Sequence, residues 1–206
     1  MSKWIRFGTL SAVALLALAA AGCGDFVRQG TGGGAATVLS LEAAAGVTPS
    51  AFGGTLLSDV VTNVKKKVNG ADTLVPTVFN DIGKATVGVD MKDATTSATS
   101  VNQVTFTRYR VTYARADGRN TPNVDVPESF DSAVTFTVAP GSPGSVGFDL
   151  VRHVAKEQAP LVSLAANDDL ITVIATVTFY GKDHAGHDVS AAGNIGITFG
   201  NFGDPD

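Results

Sequence analysis

Beyond residue 37 the chain places apolar side chains at every second position, interrupted by turn residues. Val87, Val89 and Met91 alternate with polar or small neighbours after Asn80, Asp81, Ile82 and Gly83. Val134, Phe136 and Val138 alternate with Thr135 and Thr137, and Val146, Phe148 and Leu150 follow the turn residues Pro140 to Gly144. Ile171, Val173, Ala175, Val177 and Phe179 form one apolar face, while Thr172, Thr176 and Thr178 share the other with Ile174. Ile195, Ile197 and Phe199 make the last alternation. Period two puts each set on one side of a strand. One segment breaks phase: Val104 and Phe106 share a parity, but Tyr109, Val111 and Tyr113 have the opposite one. A β-bulge at Thr107 and Arg108 would let both sets face the core; without it the tyrosines would face solvent. Thr37 to Leu41 reads as a first strand, with a short helical turn over Leu39 to Ala45 as the alternative, and Gly46 ends either. Residues 146–158 are predicted as one long strand, although Arg152 to Gln158 is charged enough for a helix and Pro160 follows. About seven strands with recurrent turns predict an all-β, antiparallel β-sandwich over residues 37–206.

The N-terminus has a different layout. Lys3 and Arg6 form a positive head, Leu10 to Ala21 is an uncharged apolar stretch, and Ala20, Ala21 and Gly22 precede Cys23, the single cysteine. This is the layout of a secretory signal over residues 1–22. The run is shorter than the roughly 20 residues a membrane span needs. The segment resembles the lipobox of bacterial lipoproteins. That resemblance implies cleavage before Cys23 and a lipid on its sulfur, so that Cys23 is the lipidation site and the mature chain is held at a membrane. Ala20 stands where the family usually carries Leu, Val or Ile; the alternative is an ordinary signal peptide cut after Ala-x-Ala. Gly24 follows the cysteine in place of the aspartate that retains enteric lipoproteins in the inner membrane. By resemblance this implies a Gram-negative cell envelope, with the outer membrane favoured over the inner. Residues 23–36 then form a lipidated, glycine-rich tether, with Gly30, Gly32, Gly33 and Gly34 in its last part. A dozen such residues reach roughly 20 Å.

Charge narrows the partner classes. The 206 residues hold 15 Lys+Arg and 19 Asp+Glu. Cleavage before Cys23 removes Lys3 and Arg6, leaving 13 basic against 19 acidic side chains and a net charge of −6. That balance argues against nucleic acid as a partner. The one basic run, Lys65, Lys66 and Lys67 before Asn69 and Gly70, reads as a solvated loop, with contact to anionic lipid headgroups as the alternative. A lone cysteine allows no intrachain disulfide, and a domain of this size can bury a core without one.

Toward the C-terminus, the stretch from Val177 through Tyr180, Gly181, Lys182, Asp183, His184, Ala185, Gly186, His187 and Asp188 to Val189 resembles the strand–Asp-x-Ala-Gly-Asn–strand hairpin of bacterial immunoglobulin-like domains. His187 stands where that family usually has Asn. The resemblance implies an immunoglobulin-like sandwich, a fold that hosts many functions. Tyr109 to Gly118, Asn123 to Pro127 and Gly203 to Pro205 resemble uncharacterised bacterial lipoproteins with no assigned activity.

Candidate chemistry is sparse. Asp183, His184, His187 and Asp188 offer two imidazoles and two carboxylates within six residues, a possible transition-metal set. The competing reading is a polar hairpin turn in which Gly186 supplies positive φ. Asp81, Asp90, Asp93, Asp117, Asp125, Asp168 and Asp169 lie near turns, where a sandwich can gather calcium ligands from separate loops, or where Asp simply makes turns. Ser145 lies in Gly144-Ser145-Val146-Gly147, whose spacing is not that of a nucleophile elbow. His153 reads as a lone surface or edge residue. No phosphate-binding loop or His-Glu-x-x-His run appears, and no cofactor is implied. The sequence therefore predicts a non-catalytic binding or structural module, holding a protein or glycan partner near the membrane. The alternatives are an assembly subunit of a surface filament or secretion machine, and a metal- or calcium-dependent sensor or enzyme.

Overall fold

The computed structural model describes residues 33–204. Residues 1–32, which include the signal stretch, Cys23 and most of the tether, lie outside the described residues. Among the described residues there are ten strands: β1 (Gly34–Ala44), β2 (Thr55–Asp59), β3 (Thr62–Val68), β4 (Ala71–Thr77), β5 (Asp81–Met91), β6 (Val104–Ala114), β7 (Phe130–Val138), β8 (Gly144–Val151), β9 (Ile171–Asp183) and β10 (Asp188–Gly200). One sheet has the order β1-β5-β8 and the other β2-β10-β9-β6-β7, with β3 and β4 as a separate pair. With the β3–β4 hairpin set aside, the remaining eight strands form a three-stranded and a five-stranded sheet packed as a β-sandwich. All pairings are antiparallel except the edge pair β2–β10, which is parallel.

The core forms where the apolar parities of the two sheets meet. Val87, Val89, Val111, Val177, Ile197 and Phe199 are all buried. Phe106, Phe136, Phe148, Phe179 and Tyr109 form an aromatic nucleus, with Phe106 stacked on Phe136 at 4.9 Å and Phe148 edge-on to Phe179 at 5.5 Å. The bulge expected in β6 is present. Its register against both β7 and β9 shifts between Phe106 and Arg108, so Val104, Phe106, Tyr109, Val111 and Tyr113 all point inward.

Four expectations need adjustment. The strand predicted over 146–158 ends at Val151, and a short helix, α1 (His153–Lys156), follows. The period-two pattern lapses there because Lys156 turns into the interior toward a charged partner while Val154 stays exposed. The lysine run is not a loop: Lys65, Lys66 and Lys67 lie in β3, paired with Leu74, Thr73 and Asp72. The expected first strand is present, but it runs from Gly34, inside the stretch expected to be tether, to Ala44. Finally, β2, β3 and β4 join the strands that alternation identified.

Candidate functional site

The hairpin joining β9 to β10 carries the four residues with metal-binding potential, and the fold gives them other duties. Gly186 takes φ of +92°, and its N–H donates to the Asp183 carbonyl at 2.9 Å. Both carboxylate oxygens of Asp183 are occupied by His187: Oδ1 accepts its backbone N–H at 2.8 Å, and Oδ2 lies 2.9 Å from its Nδ1. Burial works against the Asp183 charge, but the hydrogen bonds from His187 outweigh it and hold the carboxyl below its ordinary range. His184 instead reaches the Thr105 hydroxyl at 3.4 Å, and Asp188 pairs with Lys182 at 2.6 Å. Among the described residues no group of three or more His, Cys, Asp or Glu side chains is arranged to hold a metal ion.

The aspartates scatter in the same way. Asp81 and Asp90 sit near opposite ends of β5, roughly 30 Å apart at the rise of a strand. Asp93 accepts from the Thr95 hydroxyl and backbone, which lowers its pKa. Asp117 is held well below the carboxylate range by Arg115 and by the Arg119 backbone. Asp125 accepts from the Thr121 N–H at 3.2 Å, while Asp168 and Asp169 are exposed. Ser145 faces the Thr86 hydroxyl at 3.0 Å across β8 and β5. His153 starts α1, where its backbone N–H and ring Nδ1 both reach Asn80 Oδ1, at 2.6 and 2.9 Å.

Two features were not visible in the sequence. The first is a buried ionic cluster at the end of the sandwich where β5 begins. Lys156 Nζ lies 2.9 Å from Asp81 Oδ2, with both side chains only 1% exposed. Lys156 also donates to the Asp59 carbonyl at 2.8 Å, Ser58 Oγ donates to Asp81 Oδ2 at 2.6 Å, and the Gly46 N–H donates to Asp81 Oδ1 at 2.9 Å. The cluster ties the β1–β2 connection, β2, β5 and α1 together.

The second is the β3–β4 hairpin, which pairs with neither sheet. Asn69 and Gly70 have φ of 52° and 84°, the left-handed pair of a type I′ turn, which suits a two-residue hairpin loop. Residues 65–74 are exposed throughout, including Val68 and Leu74. The base is held by Asn63, whose backbone N–H and side-chain amide donate to the two oxygens of Asp204 at 2.6 and 2.8 Å. It is held again by the Thr62 hydroxyl on Asp59 at 2.6 Å. The hairpin leaves the sandwich beside Asp59, which pairs with Gly200 at the far end of β10. Gly34 lies near Asp188, at the start of β10. The thirteen residues of β10 therefore place about 40 Å between the point where the described chain enters the sandwich and the root of the arm.

Among the shallow surface clefts, one of about 300 Å³ runs beside the β9–β10 turn past Thr105, Asp183 and His184, and two others are larger. One, of about 370 Å³, lies at the seam between β7 and β8 against Phe52, Tyr109 and Phe148. The other, of about 450 Å³, lies near Gly34 and includes Arg108, Tyr180 and Asp188. Arg108 there pairs with Asp131 at 2.9 Å and covers the Tyr180 ring at 4.2 Å. No family model, curated protein or solved structure matches this chain.

Proposed function

We propose that this chain is a lipid-anchored cell-envelope β-sandwich that acts as a non-catalytic binding or structural module, with the β3–β4 arm as its contact element. The observation that carries the reading is the placement of the arm. It projects from the end of the sandwich remote from Gly34, exposes three consecutive lysines on a chain of net negative charge, and is joined to the body at its base. An anchor and leash before Gly34 would point such an arm away from the membrane. The lysines favour an acidic protein or glycan surface, and Val68 and Leu74 add apolar area beside them. The anchoring half of the proposal rests on the lipobox-like segment that ends at Cys23.

Two measurements test the halves separately. Membrane partition of the full chain beside Cys23→Ser tests the anchor: loss of membrane association in the variant supports it, and an unchanged distribution removes it. A photo-crosslinking residue at position 74, compared with one at Ile174 on the outer face of β9, tests the arm in intact envelopes. Adducts with an acidic partner from position 74 alone support the arm. Adducts from Ile174 alone move the contact to the sheet face, and adducts between copies of the chain support the assembly-subunit alternative.

A further inference from the structure

We infer that Lys156 and Asp81 condense after folding into an intramolecular amide bond between Lys Nζ and Asp Cγ. Three features of the cluster carry this. The nucleophile and the carboxyl group are in contact at 2.9 Å and are shut off from water, each side chain 1% exposed. With water excluded, none competes with the amine for the carboxyl carbon or returns to hydrolyse the product. Holding them together also replaces a bimolecular encounter with an intramolecular one, a large effective concentration. The two carboxyl oxygens are differentiated as the reaction requires. Oδ1 accepts the Gly46 N–H at 2.9 Å, a donor placed where charge would gather, while Oδ2 accepts the Ser58 hydroxyl at 2.6 Å and the lysine itself.

The step balances without any further reagent. Lys156 passes one proton to Asp81 Oδ2, giving a free amine and a neutral acid. The Nζ lone pair attacks Cγ and forms the C–N bond, and the negative charge collects on Oδ1 beside the Gly46 N–H. A second proton moves from Nζ to Oδ2, the oxygen that Nζ already contacts and that the Ser58 hydroxyl hydrogen-bonds as it leaves. The Cγ–Oδ2 bond breaks, the carbonyl reforms on Oδ1, and one water leaves. The bond would join β5 to α1, closing the chain between residues 81 and 156. In a chain whose single cysteine allows no intrachain disulfide, it would supply the corresponding crosslink.

Peptide mapping of the full, unaltered chain under denaturing conditions is the direct test. A branched peptide joining the Asp81 and Lys156 segments, one water lighter than its two arms and lost in Lys156→Met, is the expected result. Recovery of Asp81 and Lys156 only in separate linear peptides, from folded protein kept for days at neutral pH, overturns the inference. Ser58→Ala, which leaves both reacting groups in place, is expected to slow bond formation at least tenfold. An unchanged rate would remove the hydroxyl from the step.

Discussion

Tyr113 on β6 donates its hydroxyl to the carbonyl oxygen of Leu150 on β8 at 2.7 Å, a buried bond that crosses from one sheet of the sandwich to the other. It exists because the bulge between Phe106 and Arg108 turns Tyr113 inward, and its ring then packs edge-on to Phe199 at 6.5 Å. Tyr113→Phe keeps the ring and leaves the Leu150 carbonyl without this donor. The expected cost is about 1 kcal/mol, read as a lower urea midpoint with an unchanged slope. Tyr109→Phe removes a longer bond, 3.1 Å to the Asp149 carbonyl, and is expected to cost less. Burial pushes the Tyr113 phenol far above its ordinary 10.0. Its raised folded pKa means that the associated stability is intact below pH 10 and declines as the unfolded chain ionises above it.

The bulge imposes its own requirement on the neighbouring strand. Gly181 on β9 sits opposite Phe106, and a Cβ at that position would run into the Thr105 carbonyl oxygen and the Phe106 Cα. Those are backbone atoms and cannot rotate aside. Gly181→Ala is expected to cost about 2–3 kcal/mol, at the upper end of overpacking. Gly196, whose added Cβ would meet only a Thr55 methyl at 3.9 Å, is the matched control, and Gly196→Ala is expected to change stability by less than about 1 kcal/mol. Thermal melts of the two variants check the contrast.

The strands that alternation revealed are those with one face on the core and one in water. β9 shows this best, with Val173, Ala175, Val177 and Phe179 buried and Thr172 and Ile174 exposed. The bulge was legible for the same reason, since a change of parity between Phe106 and Tyr109 has few other solutions. β3 and β4 were not legible, because the arm buries no face and its lysines and valines carry no period-two contrast. The buried pair escaped detection for a different reason. Asp81 stands beside a turn and Lys156 in a charged stretch, which is where exposed charges also stand, and only tertiary packing brings them together. The metal reading of Asp183, His184, His187 and Asp188 rested on nearness in sequence. The turn instead directs Asp183 onto His187 and Asp188 onto Lys182.

The arm should behave as a separate unit of stability. Two strands alone are marginal in water, and among the described residues this pair is hydrogen-bonded to the body near its base. Gly70 holds φ of +84°, which a β-branched side chain cannot adopt without strain. Gly70→Val is expected to open the hairpin tip while shifting the global unfolding midpoint by less than about 0.5 kcal/mol. Limited trypsin digestion reads this directly: cleavage after Lys65, Lys66 or Lys67 should accelerate several-fold in the variant, while the body stays intact. Equal acceleration across the body would show that the arm and the sandwich unfold together.

The β9–β10 turn gives a prediction with a defined pH window. The Asp183 carboxylate is only 4% exposed and accepts two hydrogen bonds from His187, so its folded pKa lies below the ordinary 3.8. For a depressed carboxyl the contribution is present above the unfolded pKa and is lost as pH falls through the folded one. Asp183→Asn keeps an acceptor for the His187 backbone but removes the charge, and it is expected to cost about 1–2 kcal/mol near neutral pH. The gap between wild type and variant should stay level down to about pH 5 and narrow as the pH falls below 3.8. Urea midpoints at neutral pH and at about pH 3 measure both ends of that window. Because both Asp183 oxygens are already committed to His187, a zinc ion could enter only by breaking the turn. Added zinc is therefore expected to leave the melting temperature of the wild-type chain unchanged, and a rise that disappears in Asp183→Asn would restore the metal reading of this hairpin.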